Sequence, residues 1–141
     1  MNYLLVFIQF AGILFFIFTG PSIPASVPVF VLQAIAFVLG VWAIVAMKLH
    51  TLTVLPSVKQ GGKLCSSGPY RILRHPMYTA VLLFLLALLI NQYSMSRAVV
   101  FAVVFVDLMF KMQVEEKILL FHYPNYKKYM QGTYRLIPFV Y

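Results

Sequence analysis

The sequence has few charged side chains and almost no acidic ones. Asp and Glu together number 3, against 11 Lys and Arg, and all charged residues make up 10% of the 141 residues. Soluble domains contain about 25% charged residues, so this chain has too few polar side chains to cover a water-facing surface. Because 62% of the residues are hydrophobic, the composition excludes a soluble enzyme or a disordered protein and indicates a small integral membrane protein.

Cysteine is scarce, and several familiar catalytic patterns are missing. Cys65 is the one cysteine, which excludes a disulfide scaffold and a Cys-x-x-Cys redox pair. His50 and His122 lack the partners and the spacing of metal ligands, so we expect no metal site. The sequence also contains no P-loop, no GxGxxG and no nucleophile elbow.

Four apolar runs predict an all-α bundle of about four transmembrane helices. They cover residues 3–19, 27–47, 77–92 and 98–114. A bilayer core of ~30 Å needs about 20 helical residues, a length that the second run reaches and the first nearly reaches. The two shorter runs extend into flanking polar residues, thin the bilayer locally or form a hairpin that only just crosses it. The first run lacks a basic n-region, so we interpret it as a span and not as a signal peptide.

The basic residues are concentrated in residues 48–76 and in the tail, residues 115–141, whereas the other two connections contain only Arg97. The positive-inside rule therefore predicts a multi-pass protein with both termini and the loop 48–76 in the cytoplasm. Because the basic residues lie beside apolar spans, we expect them to contact the lipid bilayer and not nucleic acid. In the tail, Tyr126 and Tyr129 share one face of a predicted short interfacial helix.

Acidic residues lie on the fourth predicted helix. Asp107, Lys111 and Glu115 follow one another at intervals of four, and we expect Asp107 and Lys111 to satisfy each other. Glu115 and Glu116 project about 100° apart on a helix and so face different neighbours. At the membrane boundary, Glu116 is either a hydrogen-bond acceptor for a polar ligand or part of a solvated helix end.

A second polar cluster, residues 68–78 (GPYRILRHPMY), leads into the third run. Pro76 suits the first turn of a helix, which places Arg74 and His75 at its N-terminus. Free N–H groups and the helix dipole favour an anion there, and Arg74 can bind a carboxylate or a phosphate through two hydrogen bonds. The alternative is an Arg–His–Tyr anchor at the membrane interface.

These segments together resemble the superfamily of isoprenylcysteine carboxyl methyltransferases and phospholipid methyltransferases. The resemblance rests on RHPMY at residues 74–78, the glutamate pair, and a tyrosine-rich tail that ends in RLIP at residues 135–138. The chain departs from the family pattern at Ala80, where glycine is common, and at His122, which follows Phe121 in place of glycine.

The resemblance implies an all-α methyltransferase that has no Rossmann domain and depends on S-adenosylmethionine. The cofactor would lie in a cytoplasm-facing cavity beneath the C-terminal segment, and a membrane lipid or a small hydrophobic acceptor would reach it from the bilayer. The implied cofactor-binding residues are Arg74, His75, Pro76, Tyr78, Glu115, Glu116 and Tyr126. The implied catalytic residues are Arg74, His75 and Glu115.

The methyl acceptor determines what those residues must do. A carboxylate needs no base, whereas an amine or a thiol needs His75 or Glu115 to take up a proton. Phospholipid amine N-methylation is the closest alternative activity. A small transporter or a non-catalytic adaptor is the alternative from another class, but a transporter would place ionisable groups at mid-membrane, where Asp107 is the candidate.

Overall fold

The computed structural model describes residues 2–47 and 64–140, and within them the fold is all-α. The helices are α1 (Asn2–Phe18), α2 (Val27–Met47), α3 (Pro76–Asn91), α4 (Met95–His122) and α5 (Tyr126–Gln131), with a short 3₁₀ turn at Gly68–Arg71. The all-α prediction is confirmed for this part of the chain. His50 and most of the predicted loop 48–76 lie outside the described residues.

The fourth helix extends beyond the predicted span, residues 98–114, at both ends. It begins at Met95, where the Ser94 side chain accepts a hydrogen bond from the N–H of Arg97, and it continues through Glu115 and Glu116 to His122. No glycine or proline interrupts these residues, so the helix has no reason to end at the predicted membrane boundary.

The described helices differ in how well they suit a membrane. α2 is both long and apolar enough to cross one, whereas α1 and α3 are apolar but shorter. Large apolar side chains project from the outer face of α2, including Phe30, Phe37 and Val45. Length and composition thus identify one clear membrane-crossing helix among the described residues.

The helices form two closely packed pairs, α2 with α3 and α1 with α4, which meet where α3 contacts α4. Gly40 of α2 faces α3, where an added Cβ would make an ordinary van der Waals contact, 3.5 Å from the Cβ of Ala80. On α1, an added Cβ at Gly12 would overlap the side chain of Val104. Small residues allow such close helix contacts. The buried core contains Phe16, Leu85, Leu88, Val104 and Leu108.

Arg97 closes the end of the bundle at which α1 and α3 terminate; we call this the Arg97 end. Its buried guanidinium donates to the carbonyls of Leu88 at 3.1 Å, Gln92 at 2.8 Å and Phe16 at 3.0 Å. These carbonyls lie at or near helix C-termini, where the helix dipole is negative and main-chain acceptors are short of helical partners, although Leu88 also accepts the N–H of Gln92 at 3.2 Å. The cation therefore caps two helices at once.

Candidate functional site

The opposite end of α3 begins in a turn that requires glycine. Gly68 has a φ of 57°, and an added Cβ would lie 3.1 Å from Nε1 of Trp42 on α2. Glycine tolerates both the positive φ and the close approach. Pro76 then begins α3 at a position where a missing N–H costs no helical hydrogen bond, and this fixes Arg74 and His75 immediately before the helix.

We call the region around Arg74, His75 and the start of α3 the corner. A segment of the C-terminal tail covers it. We call residues 133–136 the tail strap; it runs parallel to the residues that precede α3. The N–H of Arg74 donates to the carbonyl of Tyr134 at 2.7 Å, and the N–H of His75 donates to the carbonyl of Arg135 at 3.2 Å. The prediction that these N–H groups are free to bind an anion is wrong, because the tail of the same chain already supplies their acceptors.

Glu116 is the centre of the corner and is held by two arginines. Arg74 donates from Nε to Oε1 at 2.8 Å, and Arg135 donates from Nε and Nη2 to Oε2 at 3.0 and 2.7 Å. Both carboxylate oxygens of a nearly buried glutamate are therefore neutralised by charge-assisted hydrogen bonds. Of the two arginines, Arg135 is the more exposed, at 28%.

The surroundings of Glu116 keep its carboxylate ionised. Burial alone would raise its pKa, but hydrogen bonds from His75, Arg135 and Arg74 outweigh burial and lower the pKa to about 2. At any pH near neutral Glu116 therefore carries a full negative charge.

Arg74 also fastens the tail to the helices. Its Nη1 donates to the carbonyl of Met130 at 3.0 Å and to the carbonyl of Thr133. One guanidinium thus joins α4, through Glu116, to the end of α5 and to the tail strap. Arg74 is consequently not a spare cation; any ligand that it binds must share it with these partners.

Glu115 faces a different set of neighbours, as the helical geometry predicts. Its Oε1 accepts a hydrogen bond from the hydroxyl of Tyr78 at 2.5 Å, and its Oε2 lies 3.5 Å from Nδ1 of His75. With 21% of its side chain exposed, Glu115 is more accessible than Glu116 at 5%. It is therefore the carboxylate of the pair that a ligand reaches more easily.

His75 lies between the two glutamates. Its ring stacks on that of Tyr78, with centroids 5.5 Å apart, and its Nε2 is 3.5 Å from Oε1 of Glu116. Burial disfavours the charged ring, but hydrogen bonding and charge interaction with Glu115 and Glu116 outweigh it and raise the pKa of His75 above 6.5. The corner therefore favours a protonated imidazole.

One polar atom of the corner, the hydroxyl of Tyr126, is buried without a hydrogen-bond partner among the described residues. Tyr126 is 1% exposed, and its burial, together with the charge of Glu116, raises its pKa above the usual value. Buried polar groups without partners are costly. This hydroxyl is accordingly available to a polar ligand at the corner.

The structure brings nearly all the predicted site residues together. Arg74, His75, Tyr78, Glu115 and Glu116 form one connected network of contacts of 3.5 Å or less. Tyr126 lies within the electrostatic reach of Glu116 and Arg74. Pro76 differs from the others, because its contribution is to begin α3 and not to offer a polar group.

The expected pairing of Asp107 with Lys111 is wrong. Lys111 instead donates from Nζ to the side-chain oxygen of Gln9 on α1 at 2.8 Å and lies over the ring of Tyr78. Both oxygens of Asp107 are buried without a hydrogen-bond partner. The i, i+4 spacing allows the pair, but neighbours on α1 and α3 offer Lys111 better-placed contacts.

Arg135 is the residue that the sequence prediction missed. In the sequence it stands out only as part of the RLIP ending, yet it donates two hydrogen bonds to Glu116. The composition contains a signal for this contact, because the chain has 3 acidic residues against 11 Lys and Arg. The planar guanidinium of arginine suits a carboxylate, so arginines are expected to bind the few carboxylates present.

Other chemistry-bearing residues have local partners. The thiol of Cys65 donates to the carbonyl of Ala46 at 3.4 Å, and Nδ1 of His122 lies 2.9 Å from the carbonyl of Ile118. In residues 2–47 and 64–140, no group of three or more His, Cys, Asp or Glu is arranged to hold a metal ion.

The family model for phospholipid methyltransferases matches residues 25–126, most of the chain. The chain belongs to the phospholipid methyltransferase family. This family consists of membrane-associated methyltransferases within the superfamily of integral membrane methyltransferases, so the predicted relationship is confirmed. Among proteins with curated descriptions, none matches the chain.

The phospholipid methyltransferase match includes some parts of the corner and not others. It covers the RHPMY segment and both glutamates, and it ends at Tyr126. The tail strap and Arg135 lie beyond it, although Arg135 directly contacts Glu116. The structure thus adds a C-terminal contribution to a corner whose other residues lie inside the family match.

Proposed function

We propose that this chain is an S-adenosylmethionine-dependent methyltransferase that acts on a lipid-like or small hydrophobic acceptor at the membrane. One observation carries the proposal: in a member of this family, Arg74 and Glu116, 42 residues apart, meet in a charged and partly exposed corner. Beside this ion pair, His75, Tyr78 and Glu115 add polar groups that a merely structural ion pair would not need.

The proposed membrane arrangement has α1 to α4 as four spans, with both termini in the cytoplasm. The distribution of Lys and Arg supports this orientation. The corner lies where α3 begins and where the charged part of α4 emerges, so it faces the cytoplasm, the compartment that supplies a soluble cofactor. The acceptor reaches the same corner from the bilayer.

The residues at the corner suit the chemical groups of S-adenosylmethionine. Glu115 can accept hydrogen bonds from an ammonium or from ribose hydroxyls, and Arg74 and Arg135 can bind a carboxylate. The hydroxyl of Tyr126, which has no hydrogen-bond partner in residues 2–47 and 64–140, can serve a further polar group. Bound at the corner, S-adenosylmethionine would supply an electrophilic methyl group to a lone pair of the acceptor.

The protein contributes position and exclusion of water more than acid–base chemistry. The tail strap covers the corner, and Arg74, Arg135 and Glu116 hold its parts in register. Where the acceptor is an amine or a thiol, a base must take its proton. Because the raised pKa of His75 favours its charged form, Glu115 is the better-placed base.

Phospholipid amine N-methylation is the second candidate. The phospholipid methyltransferase match favours it, and the exposed carboxylate of Glu115 supplies the base that an amine acceptor requires. The two candidates share cofactor and corner, and they differ in the acceptor.

Calorimetric titration of S-adenosylmethionine into detergent-solubilised protein tests the proposal. Wild type should bind, and Glu115→Gln should weaken binding by about tenfold or more, since a hydrogen bond to a charged group contributes ~1.5–3 kcal/mol. Lys128→Ala, an exposed change on neighbouring α5, is the matched control and should bind normally. Folded wild-type protein that does not bind the cofactor would refute the proposal.

Transfer of a labelled methyl group then separates the two candidates. Phosphatidylethanolamine, a prenylated carboxylate and a lipid extract are presented in parallel to reconstituted protein. Label in phosphatidylethanolamine alone identifies the amine methyltransferase. Label in the carboxylate alone identifies the other acceptor class.

A further inference from the structure

The last described residues form an exposed apolar turn. We call residues 137–140 the tail turn; the N–H of Val140 donates to the carbonyl of Ile137 at 3.2 Å and closes it. Ile137, Phe139 and Val140 are 53%, 84% and 76% exposed. Three large apolar side chains are thus presented together next to a charged corner.

Phe139 is the most unusual residue of the tail turn. It has a φ of 65°, a conformation that is strained for a bulky side chain. Its ring contacts Tyr134, with centroids 5.3 Å apart, yet most of the ring remains exposed. The positive φ belongs to the closed turn, in which Pro138 precedes Phe139, and this conformation leaves the ring exposed.

The tail runs alongside the residues that precede α3 and reaches the first turn of that helix. The N–H of Tyr134 donates to Ile72, the N–H of His75 donates to Arg135, and the hydroxyl of Thr79 donates to the carbonyl of Leu136 at 2.9 Å. Each step along the tail is thus a step toward and along α3. Leu136 has already reached the first turn of that helix, and the tail turn follows.

We propose that the tail turn inserts into the boundary between the headgroups and acyl chains of the membrane leaflet at the corner. This inference rests on the proposed membrane arrangement, in which α3 enters the bilayer at Pro76. A segment that has reached the first turn of α3 then lies at the depth where apolar side chains leave water for lipid. Burial of exposed apolar surface stabilises that placement.

Helix α5 is poorly suited to inserting apolar side chains into the membrane. Tyr126 is buried against the corner, and the hydroxyl of Tyr129 donates to the carbonyl of Tyr70 at 2.6 Å. The exposed side chains of α5 include Lys127 and Lys128, which suit headgroups but not acyl chains. The apolar contact with the membrane therefore falls to the tail turn.

Insertion of the turn would also stabilise the corner. Arg135, which holds Glu116, is two residues before Ile137, so a turn fixed in lipid restricts the movement of the tail strap. The membrane thereby becomes a partner that keeps the corner covered.

Tryptophan fluorescence in reconstituted vesicles tests the proposal. In a Trp42→Phe background, Phe139→Trp or Val140→Trp provides a single probe in the tail turn. Leu86→Trp, at a partly exposed position in the middle of α3, reports whether that helix lies in the bilayer. Phe121→Trp, an 86% exposed position at the end of α4, is the water-exposed comparison. The quenchers are lipids brominated high on their acyl chains and aqueous acrylamide.

We expect the tail-turn probes to lose about half of their emission to brominated lipid, because an interfacial apolar segment reaches ~5–10 Å into the headgroup and acyl boundary. They should also resist acrylamide relative to Phe121→Trp. Tail-turn probes that respond only to acrylamide, while Leu86→Trp responds to brominated lipid, would overturn this inference alone. Failure of Leu86→Trp to respond to brominated lipid would overturn the membrane arrangement as well, whereas neither result bears on cofactor binding.

Discussion

The two ends of α3 hold arginines in opposite ways. At the Arg97 end, the described polar partners of the guanidinium are main-chain carbonyls of Leu88, Gln92 and Phe16. At the corner, Arg74 and Arg135 meet on the carboxylate of Glu116. Main-chain acceptors neither titrate nor move apart without unfolding, whereas carboxylates and their neighbours can change charge and partners. The first arrangement suits a structural clamp and the second a binding site.

Arg97→Met should cause the largest loss of stability. This change removes a donor from three carbonyls, of which Leu88 keeps the N–H of Gln92. Each buried acceptor that loses its partner costs ~1–3 kcal/mol, so we expect about 4 kcal/mol of lost stability from the other two. Thermal unfolding in detergent measures the loss, with Arg97→Lys as the control that keeps the charge and part of the bonding. Folded Arg97→Met protein should still bind S-adenosylmethionine; a specific loss of binding would make Arg97 part of the site.

Glu116→Gln tests how much the ion pairs of the corner contribute to stability. It leaves Arg74 and Arg135 without a counter-charge, and removal of one member of a buried ion pair costs ~3–5 kcal/mol. Because Arg135 is 28% exposed, we expect about 3 kcal/mol. The matched change Glu115→Gln should cost about 1 kcal/mol, the value of one hydrogen bond. Equal losses of stability would show that the two glutamates do not have the distinct positions described.

The corner should respond to pH, and the Arg97 end should not. The contribution of Glu116, whose pKa is lowered from 4.5 to about 2, is complete above 4.5 and disappears as the pH falls toward 2. The contribution of His75, whose pKa is raised above 6.5, is complete below 6.5 and disappears as the pH rises through the raised value.

Thermal unfolding at a series of pH values checks the His75 contribution. Wild type should lose stability on the alkaline side relative to His75→Gln, whereas Arg97→Lys should keep the wild-type profile. Parallel profiles for wild type and His75→Gln would mean that the imidazole does not gain a proton from its two glutamates.

Tyr126→Phe should separate stability from binding. Its hydroxyl is buried without a partner, so removing it should raise stability by about 1 kcal/mol. The same change should weaken S-adenosylmethionine binding by about tenfold, or ~1.4 kcal/mol. Calorimetry and thermal unfolding on one preparation measure both. Weakened stability would reveal a partner for this hydroxyl in the folded protein.

The sequence predicts the helices better than the contacts between them. Apolar length places α2 at residues 27–47, as observed, and adjacent positions on a helix separate Glu115 from Glu116. The i, i+4 rule fails for Asp107 and Lys111, because Gln9 is 102 residues away in sequence and no local pattern announces it. Helix length is local information, whereas the choice of a side-chain partner depends on packing.

The same distinction applies to the corner. The sequence alone indicates a polar site through the residue types at Arg74, His75, Glu115 and Glu116. The role of Arg135 does not follow from its neighbours in sequence, since it depends on a tail that folds back along α3. That return path also consumes the N–H groups that the local pattern presents as free.

The glycine turn at Gly68 has a consequence for how lipid thickness affects the corner. Gly68 rests against Trp42, and Trp42 belongs to α2, the helix best suited to cross a membrane. A spanning helix changes its tilt as the bilayer thickens or thins, and a change of tilt in α2 moves the surface on which this turn sits. We therefore expect cofactor affinity to vary with acyl chain length in vesicles. Titrations in bilayers of short and long phosphatidylcholines measure this effect, and identical affinities would mean that the turn does not transmit the tilt of α2 to Arg74.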